Sequence, residues 1–143
     1  MRGDKLEALL QGIYLKYGVK GLLTCNLDYE TITYVRFPFR GDSIQVRLSI
    51  TDSMYSFAKI DFLEFKVPKN KQEKMRSLLN DFNMDSSDLT FYLAPDEGIT
   101  ARLTYTTNDE NFDPYFFLNY ISKTIAKIDL KYYDRMTSLI KGV

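Results

Sequence analysis

Histidine and tryptophan are absent from this sequence, and Cys25 is its single cysteine. Histidine is the commonest general base and the commonest metal ligand in proteins, so its absence argues against most hydrolytic and metal-dependent enzymes. One cysteine cannot form an internal disulfide, which is compatible with a reducing compartment and makes the cytoplasm the expected location. Because no histidine is available to deprotonate Cys25, we interpret it as a small buried apolar residue and not as a nucleophile.

Net charge and long apolar runs are also missing. Nineteen Lys and Arg residues balance nineteen Asp and Glu residues, so no global field attracts nucleic acid or an anionic membrane, and nucleic acid is a disfavoured partner. No apolar run approaches the roughly 20 residues that span a bilayer, so no membrane association is expected. The glycine patterns that cradle nucleotide phosphates are absent as well, and no cofactor is predicted. A length of 143 residues predicts one domain over residues 1–143.

The apolar periodicities predict an α+β fold built on an antiparallel sheet, with the order α-β-β-β-α-β-β-α. Each predicted strand is rich in β-branched and aromatic residues, which suit a pleated surface. Residues 19–30 follow no clear period and stay unassigned. The predicted elements are a helix from about Asp4 to Gly18, strands over Thr31–Phe39, Ser43–Thr51 and Phe57–Val67, a helix after Pro68, a hairpin with strands Asp88–Ala94 and Ile99–Thr106, and a helix from Asp113 to about Ile140.

Helix boundaries are indicated by capping residues. Asn70 and Glu73 have the spacing of a capping box at the start of the second helix. Asn83 is a suitable left-handed residue for its C-terminal end. Asp113 followed by proline predicts the start of the last helix, and Asp129 within the apolar stripe of that helix indicates a bend or a break.

The first predicted strand carries the strongest candidate for a partner surface. Pro38 cannot donate a ladder hydrogen bond, so it predicts an edge strand, which can accept another chain. Aromatic residues alternate with arginines there, a pattern that suits pairing with an extended peptide or stacking of single-stranded bases. The alternative is that the side of the strand with Val35, Phe37 and Phe39 packs under a helix. The candidate partner-binding residues on this strand are Tyr34, Arg36, Phe37 and Phe39.

The last predicted helix carries a second candidate surface. Lys123, Lys127 and Lys131, followed by Arg135, recur every four residues and would form a basic ridge able to hold acidic groups. The alternative interpretation of the ridge is a solvated outer face. The three lysines are added to the candidate partner-binding residues.

Short motifs in the second half of the chain, together with the order of elements, resemble the YbjN family of bacterial proteins. That family is described as sensory transduction regulators, and its fold is similar to that of type III secretion chaperones. The resemblance implies a cytoplasmic homodimer without catalytic residues, whose sheet and first helix present apolar grooves to an extended segment of a partner. The motifs are Leu78-Leu79-Asn80-Asp81-Phe82-Asn83, Phe91-Tyr92-Leu93, Asp96-Glu97-Gly98, and Tyr132-Tyr133 with Leu139-Ile140-Lys141-Gly142.

The leading hypothesis from the sequence is therefore a non-enzymatic, dimeric protein-binding module of chaperone-like or regulatory type. It engages a partner protein or peptide through an exposed strand or groove. Two alternatives stay open: a helix-grip carrier of a small hydrophobic ligand, and a nucleic-acid-binding domain.

Overall fold

A computed structural model describes residues 2–62, 66–86, 88–108 and 110–142. The fold is α+β, with a six-stranded antiparallel sheet and four helices. The sheet has the strand order β1-β2-β3-β4-β6-β5, so β1 and β5 are its edge strands. The elements, in chain order, are α1 (Arg2–Tyr17), β1 (Thr24–Asn26), β2 (Glu30–Phe39), β3 (Asp42–Thr51), β4 (Tyr55–Phe62), a 3₁₀ turn (Lys69–Lys71), α2 (Gln72–Met84), β5 (Leu89–Leu93), β6 (Ile99–Thr106), α3 (Pro114–Lys131) and α4 (Tyr133–Lys141).

The core lies between the sheet and the helices, which pack on the same face of the sheet. Strand residues alternate between the two faces, so every second side chain of β2 to β6 enters this core. One row across the sheet shows the pattern, because its members are directly opposite one another and all buried: Val35, Val46, Ile60, Ala101 and Phe91. Ring contacts place each helix on that face: Tyr17 with Phe37, Phe82 with Phe91, Phe117 with Tyr105, and Tyr133 with Phe39.

The tight turn between β2 and β3 agrees with its sequence. Phe39 and Asp42 are paired, so Arg40 and Gly41 form a two-residue hairpin loop. Both loop residues have positive φ, 49° and 77°, as a type I′ hairpin turn requires. Glycine suits that backbone at the second position, whereas Arg40 is held by ion pairs with Asp129 and Asp134.

Several predicted boundaries need correction. α1 begins at Arg2, before Asp4, and the unassigned stretch contains the short strand β1. β4 ends at Phe62; Val67, its predicted last residue, is not in a strand, and residues 63–65 lie outside the described ranges. α2 begins after the 3₁₀ turn, without a side-chain cap, so the capping box predicted at Asn70 is wrong.

The predicted C-terminal helix is two helices that meet at Tyr132. The break comes three residues after Asp129, where the sequence indicated it. The Tyr132 ring is buried against Phe82, with ring centroids 4.4 Å apart, so the residue at the break is fixed by packing in the core. At the other end of α3 the prediction is confirmed, since the Asp113 carboxylate accepts hydrogen bonds from the amides of Tyr115 and Phe116.

Candidate functional site

The candidate residues on β2 are divided between the two faces of the sheet. Phe37 and Phe39 are 2% and 8% exposed and belong to the core, so the surface role predicted for these side chains is wrong and the packing alternative is right. Tyr34 and Arg36 point to the opposite face, where Tyr34 is half-buried and Arg36 is exposed. The Arg36 guanidinium donates to the hydroxyl of Ser43 at 2.7 Å.

The edge position predicted from Pro38 applies to only part of β2. The short strand β1 pairs with residues 31–33 and therefore covers the first half of β2. The amide of Tyr34 also donates to the carbonyl of Leu23, so it points away from β3. Because backbone direction alternates along a strand, the amides and carbonyls of every second residue after Tyr34 point the same way. On the uncovered half those residues are Arg36 and Pro38, and Pro38 has no N–H. Between them they offer an incoming strand a single amide.

The predicted basic ridge lies on α3, on the opposite side of the sheet from Tyr34 and Arg36. Lys123 and Lys131 are exposed and Lys127 is half-buried. The Lys131 ammonium lies 5.8 Å from the centroid of the Tyr132 ring, and α4 follows directly after that residue. The structure therefore does not join the ridge and the β2 residues into one site.

A larger concave surface lies between α2 and the outer edge of β5, and we call it the α2–β5 groove. Its volume is about 900 Å³, which is in the range of ligand and peptide sites. Apolar side chains and charged or amide side chains both line it. They include Glu73, Arg76 and Asn80 from α2, and Phe91, Leu93 and Pro95 from the strand side.

Asn83 closes one end of the groove by an unusual contact. Its side-chain amide donates to the carbonyl oxygen of Phe91 at 3.0 Å, and its side-chain oxygen accepts from the amide of Phe91 at 2.7 Å. A neighbouring β-strand would make the same pair of hydrogen bonds. The helix residue thus occupies the position of a strand at the edge of the sheet. The C-terminal cap predicted for Asn83 is wrong, because α2 continues to Met84.

The backbone of Leu93 faces the open part of the groove. The amide of Ala94 points towards the β6 side, where it donates to the carbonyl of Gly98. Because backbone direction alternates along a strand, the amides and carbonyls of Phe91 and Leu93 point outward. Phe91 is engaged by Asn83. Within the described ranges, no hydrogen bond is made to the outward amide and carbonyl of Leu93.

The face of the sheet opposite the helices, which we call the open sheet face, carries a buried ion pair. The Arg47 guanidinium donates to both carboxylate oxygens of Asp61, at 2.6 and 2.7 Å, and Thr100 adds a third hydrogen bond at 3.1 Å. Hydrogen bonding to Asp61 raises the pKa of Arg47 above its ordinary value. Bidentate geometry of this kind is a structural clamp between β3, β4 and β6.

The described part of the chain contains no group of three or more His, Cys, Asp or Glu side chains able to hold a metal ion. Cys25 is exposed, which corrects its interpretation as a buried apolar residue. No helix in the described ranges has the length and apolar character needed to cross a membrane. The two concave or uncovered surfaces described above are the α2–β5 groove, beside the unpaired backbone of Leu93, and the open sheet face.

Comparison with known proteins adds no relative. Neither the family models, nor the curated proteins, nor the solved structures contain a match to this chain.

Proposed function

We propose that this chain is a non-enzymatic protein-binding domain that takes an extended segment of a partner polypeptide into the α2–β5 groove. The observation that carries the proposal is the outward backbone of Leu93 beside a groove of about 900 Å³. Edge strands with unpaired amides and carbonyls are templates for strand addition, and helices or side chains commonly protect them. At the β5 edge the side chain of Asn83 protects the amide and carbonyl of Phe91, and those of Leu93 stay unpaired in the described ranges.

The proposed binding mode follows from the contacts of Asn83. An incoming strand pairs with the amide and carbonyl of Leu93 and takes over the two hydrogen bonds that Asn83 makes to Phe91. Because those bonds are exchanged and not lost, the edge gains a partner with little net change in hydrogen bonding at Phe91. Alternate side chains of the segment then enter the groove, where Leu93 and Pro95 offer apolar contact and Arg76 and Glu73 offer charge.

The uncovered half of β2, beyond the short edge strand β1, is a poorer template than β5. It offers only the amide of Arg36, since Pro38 has none, whereas the β5 edge offers Leu93 and, after displacement of Asn83, Phe91. Strand addition gains affinity from several main-chain hydrogen bonds in succession. We therefore assign the binding role to the β5 edge and not to the β2 residues Tyr34 and Arg36.

The resemblance of the motifs to the YbjN family supports a chaperone-like or regulatory role and a cytoplasmic homodimer, and we propose both on that basis. Asn80 and Asn83, which belong to those motifs, lie at the groove. Light scattering coupled to size exclusion tests the dimer. A homodimer has twice the mass of one 16.7 kDa chain, and a mass of one chain at micromolar concentration contradicts it.

Selection from a library of random 12-residue peptides on the immobilised protein tests the binding mode. Selected peptides are then measured by fluorescence anisotropy against three variants. Leu93→Pro removes the outward amide and leaves the pairing of β5 with β6 intact, so we expect it to weaken binding at least tenfold. Leu93→Ala loses the same side chain but keeps the amide. Arg36→Pro is the matched control, because it removes an outward amide at the other edge.

The proposal requires that Leu93→Pro bind more weakly than Leu93→Ala and that Arg36→Pro bind like the wild type. Equal binding by both Leu93 variants, or loss of binding in Arg36→Pro alone, overturns it. Native mass spectrometry of the purified protein provides an independent check. A stoichiometric hydrophobic molecule that co-purifies with the chain would favour the ligand-carrier alternative instead.

A further inference from the structure

Three cations lie in one row across the open sheet face. Arg47, Lys59 and Arg102 are directly opposite one another on β3, β4 and β6. The row continues to Tyr34 at one end and to Thr90 at the other. With neighbouring strands about 4.8 Å apart, the five positions span about 19 Å.

Like charges directly opposite each other destabilise a sheet. Asp61 neutralises only Arg47 in this row. Lys59 lies between the two arginines, and no ion pair joins it to any other residue in the described ranges. The Arg102 guanidinium lies 5.7 Å from the centroid of the Phe57 ring and has no carboxylate partner there either. The row is thus arranged unfavourably for the protein alone and favourably for a bound polyanion.

Aromatic rings flank the cations on the same face. Tyr34 is beside Arg47 in the row, Phe57 is two residues from Lys59 on β4, and Tyr92 is two residues from Thr90 on β5. All three are half-buried, so each ring is held in place and keeps an accessible part. Stacking of bases on such rings, beside cations that contact the backbone, is the common mode of single-strand recognition.

We propose that the open sheet face binds single-stranded nucleic acid, with phosphates at Lys59 and Arg102 and bases against Tyr34 and Phe57, while Arg47 stays paired with Asp61. A second copy of the chain is the weaker occupant, because two such rows face to face repel each other. An acidic peptide would satisfy the cations but would not use the aromatic rings. The open sheet face meets the α2–β5 groove at Tyr92, but Tyr34, Lys59 and Arg102 lie outside the groove, so variants at these three residues test this proposal independently of the first.

The balanced charge of the whole chain does not oppose this assignment. The face gathers Arg36 with the three cations of the row, against Asp61 and Glu30. The Glu30 carboxylate accepts a hydrogen bond from Ser49, which lies opposite Phe57. The excess of positive charge on this face arises from strand register, which a count over the whole chain does not report.

Fluorescence anisotropy with 15-nucleotide labelled oligo-dT and oligo-rU, at salt concentrations from 50 to 200 mM, tests the proposal. The double variant Lys59→Gln with Arg102→Gln should bind at least tenfold more weakly. Its slope of log affinity against log salt should be flatter by about 1.4, since each lost phosphate contact contributes about 0.7 for single strands. Tyr34→Leu should weaken binding about tenfold and leave the salt slope unchanged.

The matched control is Lys123→Gln with Lys127→Gln, which removes the same charge from α3 on the far side of the molecule. It should bind like the wild type, and circular dichroism checks that each variant is folded. The proposal is overturned if neither oligonucleotide binds in 50 mM salt, or if the control variant loses as much affinity as the row variant. Tighter binding of labelled 15-residue polyglutamate, in competition with the oligonucleotides, overturns it in favour of an acidic peptide.

Discussion

Replacement of Asn83 by alanine measures how much its hydrogen bonds between α2 and β5 contribute to stability. The substitution removes two hydrogen bonds to Phe91, each worth about 1 kcal/mol net. Alanine is the better helix former by about 0.6 kcal/mol, which offsets part of the loss. We therefore expect the free energy of unfolding to fall by about 1.4 kcal/mol, or roughly 5 °C in the melting temperature of a chain of this size.

Asn80→Ala is the matched control for this prediction. Asn80 is exposed and lies one turn earlier on α2, and its side chain makes no hydrogen bond within the described ranges. Its replacement should therefore show only the gain in helix propensity and stabilise the chain by about 0.6 kcal/mol. Urea unfolding followed by circular dichroism measures both variants. Equal stability of the two would refute the claim that Asn83 holds the edge of β5.

Three further substitutions test other contacts by the same urea assay. Tyr132→Phe removes a buried hydroxyl that has no hydrogen-bond partner in the described ranges and should stabilise the chain by about 1 kcal/mol at neutral pH. Burial also raises the pKa of Tyr132 above 10.0, so the folded chain loses this proton less readily than the unfolded chain. The free energy of unfolding should therefore fall as the pH rises from about 10 through the folded-state pKa, and Tyr132→Phe should lack this alkaline loss. Arg47→Ala leaves the buried carboxylate of Asp61 with Thr100 as its only partner and should lower the free energy of unfolding by about 3 kcal/mol. Adding Asp61→Ala should restore part of this loss, and a double variant as unstable as Arg47→Ala would contradict the pairing. Asp113→Ala removes the cap of α3 and should cost about 1 kcal/mol, and an unchanged midpoint would contradict that role.

Patterns that depend on neighbours in the chain predicted much of the fold. The two-residue period of β2 places Tyr34 and Arg36 on one face of the sheet and Phe37 and Phe39 on the other, whichever face the helices cover. It does not tell which face the helices occupy, and two of the four candidate side chains were therefore assigned to the wrong environment. Pro38 predicted an edge, and its missing amide does lie on the uncovered half of β2.

Short elements and contacts between distant segments were not predictable in the same way. β1 has three residues, too few for a period to be recognised. Asn83 has the composition of a helix cap, and only the packing of α2 beside β5 gives its side chain a strand edge to pair with. No local signal distinguishes these two uses of an asparagine.

The sequence does not predict the cationic row, for a related reason. Each cation of the row alternates with buried residues along its own strand, so the sequence indicates only that Arg47, Lys59 and Arg102 lie on the polar faces of their strands. Their alignment depends on the register of β3, β4 and β6. The short connection between β3 and β4 favours the pairing of Arg47 with Lys59, but no turn joins β4 to β6, because α2 and β5 lie between them in the chain. The position of Arg102 opposite Lys59 therefore depends on packing across the sheet, which no local pattern predicts.

The most direct measurement of the central claim is amide hydrogen exchange, followed by nuclear magnetic resonance, with and without a peptide selected as above. Strand addition in the α2–β5 groove predicts that the peptide slows exchange of the Leu93 amide at least tenfold, shifts the side-chain amide signals of Asn83 and leaves the Arg36 amide unchanged. Slower exchange at Arg36 with no change at Leu93 would contradict the account.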